Sequence, residues 1–343
     1  MTNPTGRRRR VSLILCALLV VAAASNTTAV VYPFTTLVFG LAVAPDGSLL
    51  GADAGSGVFE VRKGVFTAVA QLTGVTDVAP VGRGLMYAVT SPGFGGDGKL
   101  YRVSRGSTRA LADLAAFEAE VNPDGDIVES NPFDVAALTG GSALVADAAG
   151  NSLLIVDPRG HIDWVATLPI EPVSTSNAKQ LFGCPGSGAP ICGAPDQIPA
   201  HPVLDSVAVG PDGAYYVGEL RGFPAPVGES RVWRIEPGTR HATCGTSPAC
   251  QVVADGFTSI IDLVFGPDGT LYVIELDEAS WLGMELGQGI GGSVNACTPG
   301  TWTCQEVATG LFMLTSAAVD RNGTVHVVTN ALIPAGADIS SLP

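Results

Sequence analysis

The hydrophobic and polar positions of the chain follow a pattern of fourteen residues that occurs six times without a gap. The clearest copy, residues 262–275, reads DLVFGPDGTLYVIE. The other copies begin at Gly40, Asp77, Asp134, Ser206 and Ser316. Each copy has an apolar run, a glycine at the eighth position and a second apolar run. Two strand-like runs joined by a short loop that contains glycine predict a β-hairpin.

The loop of the hairpin reads Pro-Asp-Gly in three of the copies, at residues 45–47, 211–213 and 267–269. Proline presets the backbone for such a turn, aspartate accepts local hydrogen bonds, and glycine adopts a positive φ without a steric penalty. We therefore interpret Asp46 and its equivalents as turn residues.

The glycines at the eighth position lie 37 to 72 residues apart, which leaves room for two further strands in each unit. In the fourth unit these strands are predicted at residues 231–235 and 251–254. The pattern therefore predicts an all-β fold, a six-bladed β-propeller of four-stranded antiparallel blades. Residues 331–343 show little strand pattern, so we expect the segment 30–38 to complete the last blade and leave no open sheet edge.

The N-terminus has the organisation of a secretory signal. Four arginines at residues 7–10 precede an apolar stretch at 11–24, which ends in small residues. This predicts cleavage near Ala24 or, alternatively, near Ala29. An uncleaved membrane anchor is the alternative, but the apolar run is short for a span. We expect residues 1–29 to be a signal peptide and residues 30–343 to form one secreted or extracytoplasmic domain.

The charge of the chain excludes one class of partner. The formal net charge is −14, and it becomes −18 without residues 1–29, which contain four arginines and no acidic residue. Such a surface repels nucleic acid and anionic lipid. We therefore expect no nucleic-acid partner, no membrane span after processing, and a monomer that binds a small molecule, a glycan or a protein.

Six cysteines remain after removal of the signal, and they form three close pairs. The pairs are Cys184–Cys192, Cys244–Cys250 and Cys297–Cys304. An even number, short separations and a secretory signal together predict three disulfide bonds. A metal cluster is the alternative, but the sequence contains no C-x-x-C spacing.

The insertions between strands predict where a functional site lies. In each blade, the start of strand one and the end of strand two lie at the same end, which we call the top face. The insertions at 91–98, 108–121, 171–202, 221–226 and 278–292 all return to this face, and residues 108–121 are predicted to form a short helix. Because loops on a rigid scaffold carry much of the function of proteins, we expect the site there.

Positions one and fourteen of the repeat place seven carboxylates near the top mouth of the central channel. These are Asp53, Asp77, Asp134, Asp147, Glu219, Asp262 and Glu275. In one interpretation each accepts backbone N–H groups at the end of its own blade. In another, several of them bind a hard cation such as Ca²⁺, with Asp134, Glu219, Asp262 and Glu275 as the ligands, or bind an organic cation or a polyol.

Three further residues are ligand-binding candidates on the top face: His201, Phe223 and Trp281. His201 precedes the fourth hairpin, and its alternative interpretation is structural. The sequence contains no G-x-S-x-G, H-E-x-x-H or phosphate-binding glycine motif. We therefore assign no catalytic residue.

Several stretches resemble one known family. They are NPFD at 131–134, ADAAGN at 146–151, VDPRG at 156–160, VAVGPDGAYYVGELRGFP at 207–224 and IIDLVFGPDGTLYV at 260–273. Together they resemble the ScyD/ScyE family of secreted bacterial proteins over roughly residues 36–330. The resemblance implies an extracytoplasmic propeller related to NHL-repeat proteins, and it implies no catalytic residues.

Three functions are compatible with these observations. The first is a secreted or envelope-located binding module that holds a ligand or partner on its top face. The second is a Ca²⁺-dependent hydrolase, similar to gluconolactonase-like or strictosidine-synthase-like propellers, in which the ion polarises a carbonyl group. The third is a structural scaffold in an envelope complex. Convergence of carboxylate oxygens on one point favours the second function, whereas carboxylates engaged by backbone N–H groups favour the first.

Overall fold

The structure is a computed structural model that describes residues 34–82 and 84–342. The predicted signal peptide, at residues 1–29, lies outside the described residues. Within them the chain forms six blade sheets, each of which begins with the two antiparallel strands of one repeat, and one further two-stranded sheet in the connection between the third and fourth blades. The six-bladed β-propeller predicted from the repeat is therefore confirmed.

The first two blades each contain four strands that pair in chain order. Blade one consists of β1 (Val38–Val43), β2 (Leu49–Asp53), β3 (Gly57–Arg62) and β4 (Val65–Ala70). Blade two consists of β5 (Val75–Gly82), β6 (Leu85–Thr90), β7 (Lys99–Ser104) and β8 (Ser107–Asp113). A 3-10 turn (Pro92–Phe94) lies between β6 and β7, and helix α1 (Leu114–Val121) follows β8.

The third and fourth blades are joined by a long connection with structure of its own. Blade three consists of β9 (Pro132–Ala137), β10 (Ala143–Asp147), β11 (Ser152–Val156) and β12 (Ile162–Thr167). The connection contains β13 (Glu171–Ser174), α2 (Ser176–Leu181), a 3-10 turn (Pro190–Gly193) and β14 (Gln197–Ala200). Blade four consists of β15 (Leu204–Val209), β16 (Tyr215–Glu219), β17 (Ser230–Ile235) and β19 (Cys250–Phe257), and the short β18 (Ala242–Thr243) pairs in parallel with β12.

The last two blades differ in their outer strands. Blade five consists of β20 (Ile260–Phe265), β21 (Leu271–Glu275), β22 (Gly292–Cys297) and β23 (Cys304–Leu311), with helix α3 (Ser280–Glu285) between β21 and β22. Blade six consists of β24 (Ser316–Val319), β25 (Val325–Thr329) and β26 (Asp338–Ser341). The C-terminal tail, predicted to be poor in strands, thus supplies the third strand of this blade.

The first strands of the blades form the inner wall of a ring. Each packs against the first strands of both neighbouring blades, and β24 packs against β1 to close the circle. The apolar core lies mainly between adjacent sheets; Leu144, Leu153, Val217 and Trp233, for example, fill the space between blades three and four. One blade cannot bury both of its faces alone, which explains why the units form a closed ring.

The predicted closing strand is only partly described. Residues 34–37 are not a strand; instead, the N–H of Val38 donates to the carbonyl of Ala331 at 3.0 Å. Phe34 packs with Phe59 and Val328 at the junction of the last and first blades. The remainder of the segment, residues 30–33, lies outside the described residues, so a fourth strand there stays a prediction.

Two further local predictions have different outcomes. The three disulfide bonds are confirmed, with Cα–Cα distances of 5.3, 5.2 and 3.9 Å. The helix predicted for residues 108–121 is too long, because β8 extends to Asp113, whose carboxylate then accepts the Ala116 N–H as the helix N-cap. No helix in the described part of the chain is both long and apolar enough to cross a membrane.

Candidate functional site

Aspartates at the first position of the repeat form hydrogen bonds between neighbouring blades around the axis. We call these aspartates, Asp77, Asp134 and Asp262, the axial ring. Asp134 Oδ2 accepts the backbone N–H of Val207 in the next blade at 2.6 Å, and Asp77 accepts that of Val135 at 3.1 Å. Asp262 accepts the Ala317 N–H at 2.8 Å in the same way. These carboxylates do accept backbone N–H groups, but from the neighbouring blade and not, as one interpretation of the sequence expected, at the end of their own blade.

The ring carboxylates lie close enough to influence one another. Burial, followed by the charge of Asp134 and a hydrogen bond with its carboxyl group, raises the pKa of Asp77 well above its usual value. Burial and Asp134 also raise the pKa of Asp262 to about 7. Both shifts have the same physical origin, because burial and a neighbouring carboxylate each disfavour the ionised form.

An aromatic cap closes the top of the channel. The first strands of blades one to five carry an irregularity just before the ring, and Phe39, Phe133 and Ile261 line a cavity of about 10 Å³ there. Phe94, from the blade-two insertion, packs on Phe39 in a tilted arrangement with ring centroids 4.4 Å apart. A cavity of this volume holds about one water molecule.

Sequence analysis missed Asp205, the blade-four member of this same layer. It is 2% exposed, and neither of its carboxylate oxygens has a partner among the described residues. Burial raises the pKa of Asp205 well above its usual value, with Asp134 and Asp262 adding to the effect. Asp205 directly precedes position one of the fourth repeat, and this place in the sequence could have identified it.

Below the ring, the channel widens towards the turns at the other end. A cavity of about 290 Å³ follows the inner strands and is lined mainly by aliphatic side chains such as Val43, Val135 and Val209. Asp77 and Asp262 line the same cavity. The ring carboxylates thus face a mostly apolar channel and lie beneath an aromatic cap.

The carboxylates at position fourteen do not join the ring. Asp53 accepts the N–H groups of Thr35, Gly55 and Ser56. Glu275 accepts hydrogen bonds from Thr258, Ser293 and Asn295, the last at 2.6 Å. Each is therefore engaged at the end of its own blade.

The predicted metal ligands are consequently not assembled into one site. Asp134 and Asp262 lie in the axial ring, whereas Glu219 and Glu275 are held within blades four and five. Across residues 34–82 and 84–342, no three His, Cys, Asp or Glu side chains are grouped to hold a metal ion. The described residues thus do not bring the four carboxylates together, because Glu219 and Glu275 are engaged by side chains of their own blades, and a Ca²⁺ site formed by these four residues stays a prediction.

Glu219 lies in a buried ionic network at the top of blade four. Its carboxylate accepts from the Trp233 indole N–H at 2.5 Å and pairs with Arg221 Nε at 2.9 Å and Arg231 Nε at 3.2 Å. Both guanidinium groups also pair with Glu171, from β13. Burial raises the pKa of Glu219, but the two arginines oppose this effect. The sequence did not single out Arg221, although it lies within the GELRGFP element.

A cleft of about 560 Å³ opens beside this network. Its lining includes Glu171, Arg221, Glu229, Arg231 and Asp255. The residues come from the start of β13, the start of β17, the end of β19 and the insertion after β16, which all lie on the top face. The cleft therefore presents carboxylate and guanidinium groups, of which Glu171, Arg221 and Arg231 are held in place by ion pairs.

The three remaining candidates lie on the top face but play different parts. Phe223 is 45% exposed. Trp281 is half-buried and donates its indole N–H to the carbonyl of Arg221 at 2.8 Å, so it holds the insertions together. His201 Nδ1 lies 3.2 Å from the amide nitrogen of Asn151 and its Nε2 lies 3.6 Å from Asp126. A binding role for these residues stays a prediction.

Comparisons with known proteins give the fold. No family model and no curated protein matches the sequence. The structure is similar to one described as a putative oxidoreductase (glucose dehydrogenase) from Thermus thermophilus, with 18% identity and a TM-score of 0.56 over 90% of this chain and 97% of that chain. It is also similar to a Xanthomonas campestris gluconolactonase, with 13% identity and a TM-score of 0.56 over 92% and 89% of the two chains. A streptogramin B lyase has 12% identity and a TM-score of 0.51 over 91% and 96%. At these identities the similarity shows the propeller fold alone.

Proposed function

We propose that the protein is a secreted or envelope-located binding module of the ScyD/ScyE type, and that it holds a polar, hydroxyl-rich ligand such as a polyol or glycan. The observation that carries the proposal is the cleft of about 560 Å³ on the top face of blade four. Ligand sites are typically concave and use a few fixed polar groups for orientation. Three disulfide bonds are typical of an extracytoplasmic protein, which supports the location.

The chemistry of the cleft favours a neutral polar ligand over an ion. Glu171, Glu229 and Asp255 contribute carboxylates, and Arg221 and Arg231 contribute guanidinium groups. Charges of both signs, with Glu171 paired to the two arginines, offer hydrogen-bond donors and acceptors side by side. Hydroxyl groups use both, whereas a simple anion or cation would leave half of the groups unsatisfied. Exposed Phe223, on the same face, offers an apolar surface for a sugar ring.

Binding to a panel of neutral polyols and oligosaccharides, measured by calorimetry on the mature protein, tests the proposal. The cleft variant is Asp255→Asn, because Asp255 is exposed and its loss leaves the buried network intact. The control is Glu306→Gln, an exposed carboxylate on outer strand β23. We expect Asp255→Asn to weaken binding by about tenfold, the effect of one charge-assisted hydrogen bond, and the control to leave it unchanged. Failure of the whole panel to bind would reject the proposal.

A hydrolase is the second candidate, and one observation favours it. Asp77, Asp134 and Asp262, whose pKa values are raised, line the closed end of the axial channel of about 290 Å³. The similar gluconolactonase fold makes lactones the first substrates to test. Turnover of a lactone or ester that is lost in Asp262→Asn supports the hydrolase. No turnover, together with polyol binding in the cleft, supports the binding module alone.

A further inference from the structure

Helix α1 places a buried carboxylate over the top of blade three. Glu118 is 1% exposed, and neither of its carboxylate oxygens has a hydrogen-bond partner among the described residues. An isolated buried carboxylate is costly unless a proton, a hydrogen-bond donor or a cation compensates it. Glu118 is therefore a group that lacks its compensating partner.

The acidic side chains around Glu118 favour a positive charge beside it. A Cβ built on Gly150 would lie 3.0 Å from Glu118 Oε2 and 3.3 Å from Asp147 Cγ, so the two carboxyl groups face each other across the glycine. Burial, followed by the charges of Asp147 and Asp124, raises the pKa of Glu118 to about 7. The glycine leaves open the gap between the two groups.

A third unsatisfied oxygen belongs to Asn122, four residues further along the chain. Asn122, the C-cap of α1, donates its side-chain amide to the carbonyl of Asp126 at 2.8 Å, but its Oδ1 is buried without a partner among the described residues. Asn122 directly follows the helix, and its backbone N–H donates to the carbonyl of Glu118 at 2.9 Å, so the two residues belong to the same turn. All three unsatisfied atoms of this group are oxygen acceptors.

We propose that Glu118 and Asn122 bind a hard divalent cation, Ca²⁺ foremost, between α1 and blade three. Carboxylate and amide oxygens are the ligands that Ca²⁺ prefers. Asp124 and Asp147 supply further negative charge beside the ion. No three His, Cys, Asp or Glu side chains of the described chain are grouped to hold a metal ion, so a bound Ca²⁺ would need water molecules as further ligands. This site is separate from the ligand cleft of blade four and from the axial ring.

The position of the site suggests what the ion does. Asp124 also accepts from Asn151, whose Oδ1 accepts the Val203 N–H and whose amide nitrogen contacts His201. These contacts connect α1, the end of blade three and the segment that leads into blade four. A bound ion therefore fixes the insertion after blade two to the neighbouring loops of the top face.

The experiment is a calorimetric Ca²⁺ titration of the mature protein after EDTA treatment, together with thermal melts in EDTA and in excess CaCl₂. The test variant is Glu118→Gln, which keeps the shape of the side chain. The matched control is Glu120→Gln, an exposed glutamate on the same helix. We expect Ca²⁺ to raise the Tm of the wild type and of the control by a few degrees. Glu118→Gln should lose the shift and weaken Kd by about tenfold or more.

Asp262→Asn, titrated in parallel, separates this site from the axial ring. A Ca²⁺ response that survives in Glu118→Gln and disappears in Asp262→Asn places the ion on the axis and overturns the proposal. Absence of any heat or Tm shift in the wild type overturns it as well. If Glu118→Gln does not fold, Asp124→Asn replaces it, and an unchanged Ca²⁺ affinity in that variant counts against the site.

Discussion

Blades three and four place a carboxylate at the same position of the repeat, Asp147 and Glu219, and both side chains are fully buried. In blade four, the guanidinium groups of Arg221 and Arg231 lie 2.9 and 3.2 Å from the carboxylate. In blade three, the neighbouring charged group is another carboxylate, that of Glu118. One scaffold position therefore has opposite electrostatic surroundings in adjacent blades.

The difference shows that the repeat fixes where a carboxylate lies but not what compensates its charge. In blade four the compensation comes from the chain itself, through two arginines. In the axial ring, burial and the neighbouring carboxylates raise the pKa values of Asp77 and Asp262, which favours their protonated forms. In blade three, Asp147 accepts hydrogen bonds from Ser130 and from the N–H groups of Asn131 and Gly150. Its neighbour Glu118 has no partner among the described residues, which is the basis for the proposed cation. Since a buried charge without a partner is strongly destabilising, each of these three ways of compensating a carboxylate can be tested by measuring stability.

Arg221→Met should produce the largest loss of stability, because it removes one of the two guanidinium groups that compensate Glu219 in blade four. Arg221 is 2% exposed and Glu219 is fully buried, so the substitution leaves a buried carboxylate with one cation fewer. Breaking a buried ion pair by removing one partner typically costs about 3–5 kcal/mol. Urea denaturation of the wild type and of Arg221→Met measures the difference in the free energy of unfolding.

The control for this prediction is Arg240→Met. Arg240 pairs with Asp163 at 3.3 Å, but its side chain is 38% exposed. An exposed pair contributes at most about 1 kcal/mol. Equal losses in the two variants would show that the blade-four network is no more important to stability than a surface pair.

The fold could be predicted from sequence because the repeat combines several independent signals. The Pro-Asp-Gly turns adopt the expected conformation: Gly47 has φ +85°, and Asp268 accepts the Thr270 N–H at 3.0 Å. Apolar alternation then defines the buried face of each strand. In contrast, no repeat signal applies to residues 108–121 or to the C-terminal tail, and the local predictions were wrong there.

The functional chemistry was less predictable, and the reason is specific. The partners of Glu219 and Glu275 include Arg221 in an insertion, Arg231 on β17 and Thr258 in the connection between blades four and five. All three positions lie outside the fourteen-residue repeat, so the pattern of the repeat does not predict these contacts. Sequence reasoning therefore placed the carboxylates on one face but did not predict the partners that hold Glu219 and Glu275 apart from the axial ring.

The axial ring predicts an unusual pH dependence of stability. The pKa of Asp262 is about 7 in the folded protein, against a usual value of 3.8. Between these values the folded state holds a proton that the unfolded state has released. The free energy of unfolding should therefore fall as the pH rises from about 4 to 7, by about 1.4 kcal/mol per pH unit for one proton. Carboxylates with lowered pKa values, such as Asp53, affect stability only below this window.

Urea denaturation in EDTA at a series of pH values measures this slope. Asp262→Asn keeps the shape of the side chain but cannot titrate, so its profile should be flatter than that of the wild type. If wild type and variant have the same slope, Asp262 does not hold the proton, and the ring is compensated by its backbone N–H groups alone.

The smallest effect is expected for alanine at the glycine three residues after Asp147 in blade three and after Glu219 in blade four. At Gly150 the added Cβ would lie 3.0 Å from Glu118 Oε2, whereas at the equivalent Gly222 the nearest atoms lie at 3.4 Å, an ordinary contact. Gly150→Ala should therefore lower the free energy of unfolding by about 1 kcal/mol through crowding, and Gly222→Ala should leave it unchanged or raise it slightly. Because the new methyl group also occupies the gap between Glu118 and Asp147, the loss in Gly150→Ala should be larger in excess Ca²⁺ than in EDTA. An equal loss under both conditions would mean that the gap in blade three is filled by packing alone and that no ion contributes to its stability.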